Sequence, residues 1–80
     1  MVIDMFKYTI SKEANEDDFR KACEKIEKSI ENLEKEELLE DVDGSQIQIY
    51  LKEDKKIKVV NDYEVDAVYA DSDIDLKDVL

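Results

Sequence analysis

Eighty residues with 23 acidic and 12 basic side chains, a net charge of −11 and a pI near 4.3 describe one acidic domain, because a chain this short cannot support two cores. That balance repels nucleic acid and anionic membrane and attracts basic surfaces, while a hydrophobic share of 42% with clear periodicity excludes a disordered chain. The single cysteine, Cys23, excludes an internal disulfide, and no apolar run reaches the length of a signal core or a membrane span, so the expected setting is a reducing cytoplasm.

Val2 to Ile10 is rich in β-branched and aromatic residues and predicts a first strand with Phe6, Tyr8 and Ile10 inward. Asn15 is an N-cap candidate, followed by Glu16, Asp17 and Asp18, which suit the positive end of a helix dipole. Phe19, Cys23, Ile26, Ile30 and Leu33 recur at steps of four and three and form one apolar stripe, predicting a helix from Glu16 to about Leu39. At ~1.5 Å per residue its length would be on the order of 35 Å, and Glu16–Arg20, Asp17–Lys21, Glu24–Lys28 and Glu31–Lys35 would add i,i+4 support.

Asp43-Gly44 reads as a stop and turn. Ser45 to Lys52 alternates strictly, predicting a strand with Ile47, Ile49 and Leu51 inward and Tyr50 on the polar side. A polar turn over Glu53 to Lys56 leads to a third strand, Ile57 to Val60, with Ile57 and Val59 inward. Asn61-Asp62 reads as a tight hairpin turn, and Tyr63 to Ala70 as a fourth strand. Ser72, with Asp75 three residues on, caps a last turn or short helix anchored by Ile74, Leu76, Val79 and Leu80. The expected fold is α+β: an antiparallel three- to four-stranded sheet with one long helix on one face, in the order β-α-β-β-β, as a single domain over residues 1–80.

The acidic excess is concentrated. Residues 34–43 hold six acids against Lys35, and residues 62–78 hold seven against Lys77. On the predicted long helix, the first run would occupy the C-terminal end, where the dipole disfavours anions. Local stability does not account for such placement. Either general acidity and solubility explain it, or both runs form a surface for a basic partner, with carboxylates standing where phosphates would. Glu36, Glu37, Glu40, Asp41, Asp62, Glu64, Asp66, Asp71 and Asp73 are the partner-binding candidates. Tyr50 is the aromatic contact; Tyr63, Tyr69 and Val68 are further apolar anchors, although Tyr63 and Tyr69 read better as core.

Nothing in the chain equips a reaction. Cys23 lies on the apolar stripe and reads as a buried small hydrophobe; there is no histidine, and one glycine cannot make a phosphate loop. Asp71-Ser72-Asp73-Ile74-Asp75 opens like a calcium loop but has Leu76 where glycine is required, so no metal and no cofactor is expected. The reading is a non-enzymatic acidic protein that inhibits a basic nuclease or other nucleic-acid-binding enzyme by occupying its nucleic-acid surface, as a phage-type inhibitor such as an anti-CRISPR does. An immunity protein neutralising a nuclease toxin, or a homodimeric accessory module, are the alternatives. The protein itself is expected to bind neither nucleic acid nor membrane and to be a monomer or homodimer.

Overall fold

The structure, a computed structural model, describes residues 6–80. It contains β1 (Phe6–Ser11), α1 (Glu16–Ser29), β2 (Glu34–Lys35), β3 (Leu39–Glu40), β4 (Gln46–Lys52), β5 (Lys55–Asp62) and β6 (Ala67–Ser72). The class is α+β, and the antiparallel sheet has six strands, more than the three or four expected. Its order is β1-β6-β5-β4-β2, with β3 also on β4. The first strand joins the β6 side; Val2 to Met5, part of that predicted strand, lie outside the described residues.

The helix starts as its sequence dictates. Asn15 Oδ1 accepts from the Asp18 N–H at 2.7 Å, and the three acids that follow fill the first turn. Phe19, Ala22, Cys23 and Ile26 are buried on the sheet. It ends ten residues earlier than the stripe suggests. Ser29 is its last residue, Ile30 is already extended at φ −118° and ψ 123°, and Asn32 takes a left-handed φ of 61°. At ~1.5 Å per residue the 14 helical residues span roughly 21 Å, which matches a seven-residue strand at ~3.3 Å per residue. Ile30 and Leu33 still pack on the core, but from the connecting segment. Residues 34–40 then lie along β4, pairing Glu34 with Leu51, Lys35 with Tyr50 and Leu39 with Ile47. The acidic run therefore decorates a sheet edge and does not sit on a helix terminus, so the dipole cost expected for it does not arise.

Register corrects two further expectations. The Glu53-Asp54 turn places Lys52 opposite Lys55 and therefore Tyr50 opposite Ile57, and directly opposed residues share a face. Tyr50, Gln48, Ile57, Val59, Val68 and Ala70 face α1 and are buried, while Ile47, Ile49 and Leu51 are half-buried on the other side. Asn61-Asp62 is not a turn: pairing with β6 continues to Asp62 opposite Ala67. The chain reverses over Tyr63–Asp66, where Asp62 Oδ1 accepts from the N–H groups of Glu64 and Val65 at 2.9 and 3.3 Å and Asp66 adopts φ 56°. Val68 and Ala70 consequently point to the core in place of Tyr69.

The C-terminal segment closes the open end of the core. Leu76 is fully buried, and Tyr8 holds its backbone: the hydroxyl accepts from Leu76 N–H at 2.8 Å and donates to Asp75 Oδ1 at 2.9 Å. The N–H groups of Val79 and Leu80 both reach Leu76 O, forming one last turn. No helix among the described residues is long and apolar enough to cross a membrane.

Candidate functional site: the uncovered face of the sheet

One face of the sheet is covered by α1; the opposite face carries Leu39, Ile47, Ile49, Leu51, Val60 and Tyr69, and no helix among the described residues lies over them. Leu39 is 51% exposed, whereas Val60 at the centre of the face is only 3% exposed. These side chains give the open face an apolar floor.

Two shallow depressions divide it, with Leu39 common to both. The first, about 290 Å³, is lined by Leu39, Ile47, Val60 and Tyr69 and rimmed by Glu40, Asp41, Asp43, Asp62 and Glu64, with Lys58 among them. That volume lies at the foot of the ~300–1,000 Å³ range of small-molecule pockets, which suits a docking patch better than an enclosed ligand site. The second holds Glu36, Glu37, Leu39, Ile49, Leu51 and Lys56. Glu40, Asp41 and Asp43 of the first acidic run thus meet Asp62 and Glu64 of the second around one depression.

Local chemistry explains the meeting. The Asp41–Ser45 turn and the Asp62–Asp66 turn sit at the same end of the sheet, joined where Ser45 Oγ accepts from Tyr63 N–H at 3.0 Å. The first turn needs Gly44, which adopts φ 90° and donates its N–H to Asp41 O at 3.1 Å. Asp43 Oδ1 accepts from Ser45 N–H at 2.9 Å; this bond and the Ser45 hydroxyl hold the Asp43 carboxyl below the usual range, so it stays ionised. The Tyr69 phenol is pushed up by burial and then by the charges of Asp62 and Asp71.

Of the predicted site residues, Glu40, Asp41, Asp62 and Glu64 converge on the first depression and Glu36 and Glu37 on the second. Asp71 lies opposite Lys58 on the same face. Asp73 is engaged by the backbone, its Oδ2 accepting from Lys56 N–H at 3.1 Å. Asp66 is turned elsewhere, its Oδ1 accepting from Ala14 N–H at 2.9 Å and tying the start of the helix to the β5–β6 turn. Tyr50 is not a surface aromatic: it is fully buried, and its hydroxyl donates to Glu27 Oε2 at 2.5 Å, where Lys35 Nζ also binds at 3.3 Å. Val68 is likewise buried.

Sequence reasoning missed Val42 and Val65 as exposed groups, and it favoured the core over a surface anchor for Tyr63. Val42, Tyr63 and Val65 are 103%, 46% and 64% exposed, in the two turns that carry the acids. The signal was present in their position, since residues in a tight turn have no interior to face. Apolar tips among carboxylates have the composition of an interface core set in a charged rim. Cys23, by contrast, is buried beneath Tyr50 and Glu27, and burial pushes its thiol up, away from the reactive thiolate. Among the described residues no three histidine, cysteine or carboxylate side chains are arranged to hold a metal ion. In comparison with known proteins, no family model, no curated protein and no solved structure matches this chain.

Proposed function

We propose that this protein is a non-enzymatic inhibitor that docks the uncovered sheet face, with its Asp41–Ser45 and Asp62–Asp66 turns, on the basic nucleic-acid-binding surface of an enzyme such as a nuclease. The observation that supports the reading is the convergence of Glu40, Asp41, Asp43, Asp62 and Glu64 around an apolar floor of Leu39, Ile47, Val60 and Tyr69. Carboxylates there steer a cationic groove by long-range attraction, and apolar contact then supplies the area that a phosphate backbone lacks. An inhibitor working in this way needs no catalytic group. It competes with the nucleic acid for the same cations, and its affinity falls as salt rises.

The test is competitive capture. Immobilised wild-type protein is expected to retain a basic nucleic-acid-binding enzyme from its native cell at low salt, to release it when duplex DNA is added, and to lose it in the variant E40K/D62K/E64K. Retention by that variant, or indifference to DNA, overturns the proposal.

A further inference from the structure

The two turns at the acidic end of the sheet carry the same short pattern of an acid, a valine and an aspartate: Asp41-Val42-Asp43 in one and Glu64-Val65-Asp66 in the other. Each aspartate is accounted for by the backbone around it. Asp41 Oδ1 accepts from Val42 N–H at 2.7 Å, Asp43 Oδ1 from Ser45 N–H at 2.9 Å and Asp66 Oδ1 from Ala14 N–H at 2.9 Å. The valines have no such explanation. Turns favour glycine, asparagine, aspartate and serine, whereas Val42 is fully exposed, Val65 is largely so, and neither lines the two depressions of the uncovered face. Turn geometry, core packing and solubility would each choose another residue.

The fold also holds these two side chains still. The first turn is closed by Asp41 N–H on Ser45 O at 2.8 Å and Gly44 N–H on Asp41 O at 3.1 Å, and in the second Asp62 Oδ1 accepts from Val65 N–H at 3.3 Å. Tyr63 fastens one turn to the other, through its N–H on Ser45 Oγ at 3.0 Å and a ring that lies 3.7 Å from where a Cβ on Gly44 would stand. A valine has one stiff side-chain torsion, so on a braced backbone it gives up little conformational entropy when it is buried by a partner.

We infer that Val42 and Val65 are paired anchors that enter a recessed cleft of the partner, one with an apolar floor and walls of lysine and arginine. This inference rests on the docking of the uncovered face proposed above and adds the shape and chemistry of the surface that receives it. Glu40, Asp41, Asp43, Asp62 and Glu64 surround the same end of the sheet, so the side chains that flank the valines call for cations. A flat cationic surface would meet the carboxylates and leave the valines in water. In a cleft the two contributions separate: the carboxylates steer the encounter and weaken with salt, while burial of the valines adds affinity that salt does not screen. A second copy of this chain is a poor occupant, because a twofold contact through these turns sets the same five carboxylates against each other.

The probe is the basic enzyme retained in the capture experiment, titrated over a series of salt concentrations against the wild-type chain, V42T/V65T and E40K/D62K/E64K. Threonine keeps the shape and the β-branch and adds a hydroxyl, so V42T/V65T is expected to melt as the wild type does, to bind about tenfold more weakly, and to keep the wild-type slope of affinity against salt. The charge variant is expected to lose affinity and flatten that slope. A soluble paramagnetic agent should broaden the Val42 and Val65 methyl signals of the free protein and spare them in the complex. Wild-type affinity in V42T/V65T with loss in E40K/D62K/E64K overturns the anchors and leaves the sheet-face reading standing; wild-type affinity in E40K/D62K/E64K removes that reading and, with it, the cationic walls this inference needs. Methyl signals as accessible in the complex as in the free chain overturn it too, as does self-association that V42T/V65T abolishes, which would make the occupant a second copy.

Discussion

Tyr50→Phe separates a buried structural tyrosine from a surface contact. The residue is fully buried opposite Ile57, and its hydroxyl donates to the Glu27 carboxylate, which also holds Lys35. A hydrogen bond to a charged group contributes roughly 1.5–3 kcal/mol, and here water partly compensates, because the Glu27 side chain is 39% exposed. The expected loss is therefore about 1–2 kcal/mol, at the low end of that range. For a domain of this size each kcal/mol lowers Tm by ~4–8 °C, so a fall of roughly 5–15 °C is expected in a thermal melt followed by circular dichroism. Affinity for a captured partner should not change beyond what unfolding explains. An unaltered Tm with weakened docking would refute the placement of Tyr50 in the core and return it to the surface.

Three further expectations follow from particular bonds. Gly44→Ala should cost about 1–2 kcal/mol in urea denaturation: the new Cβ meets Tyr63 at an ordinary 3.7 Å, so the penalty comes from φ 90° alone, and an unchanged midpoint would contradict it. Asp75 is held below the usual carboxylate range by the Lys77 N–H and then by the Tyr8 hydroxyl, so its stabilisation is present above the unfolded value of about 3.9 and is lost as pH falls through the lowered folded value. Tyr8→Phe should raise the Asp75 midpoint in an NMR titration while leaving part of the depression from the backbone bond; no movement would exclude the contact. Cys23 should react with a thiol reagent far more slowly in the native protein than in urea, and equal rates would show that it is not buried.

Local signals in this sequence were legible and pairing signals were not. The Asn15 cap, the Phe19-Cys23-Ile26 stripe and the inward Ile57 and Val59 all follow from single-element periodicity, and the structure shows each of them. The helix length misled because the stripe continues through Ile30 and Leu33 after the backbone has left the helix; Ser29 and Asn32, poor helix formers, were the stop. In β4 the cleaner alternation belongs to Ile47, Ile49 and Leu51, yet Ile57 and Val59 of β5 cannot share a face with them across a two-residue turn. Parity of the turn, not hydropathy, decides which set turns inward. The two-residue strands β2 and β3 have no periodicity to read, since two residues define none. The candidate surface suffered from the same limit: the acids were visible, but their meeting depends on the abutting turns at Ser45 and Tyr63, and Tyr50, taken for a surface aromatic, is buried while Val42, Tyr63 and Val65 are the exposed apolar groups of those turns.

The central claim is that the uncovered sheet face is the docking surface. Amide hydrogen exchange of the protein, free and bound to the basic enzyme it captures, tests it most directly. The account predicts slowed exchange in the Leu39–Ser45 and Asp62–Asp66 segments and along the Gln46–Lys52 strand, with the solvent side of Glu16–Ser29 unchanged. Protection confined to that helix, with the two turns exchanging as freely as before, would contradict it.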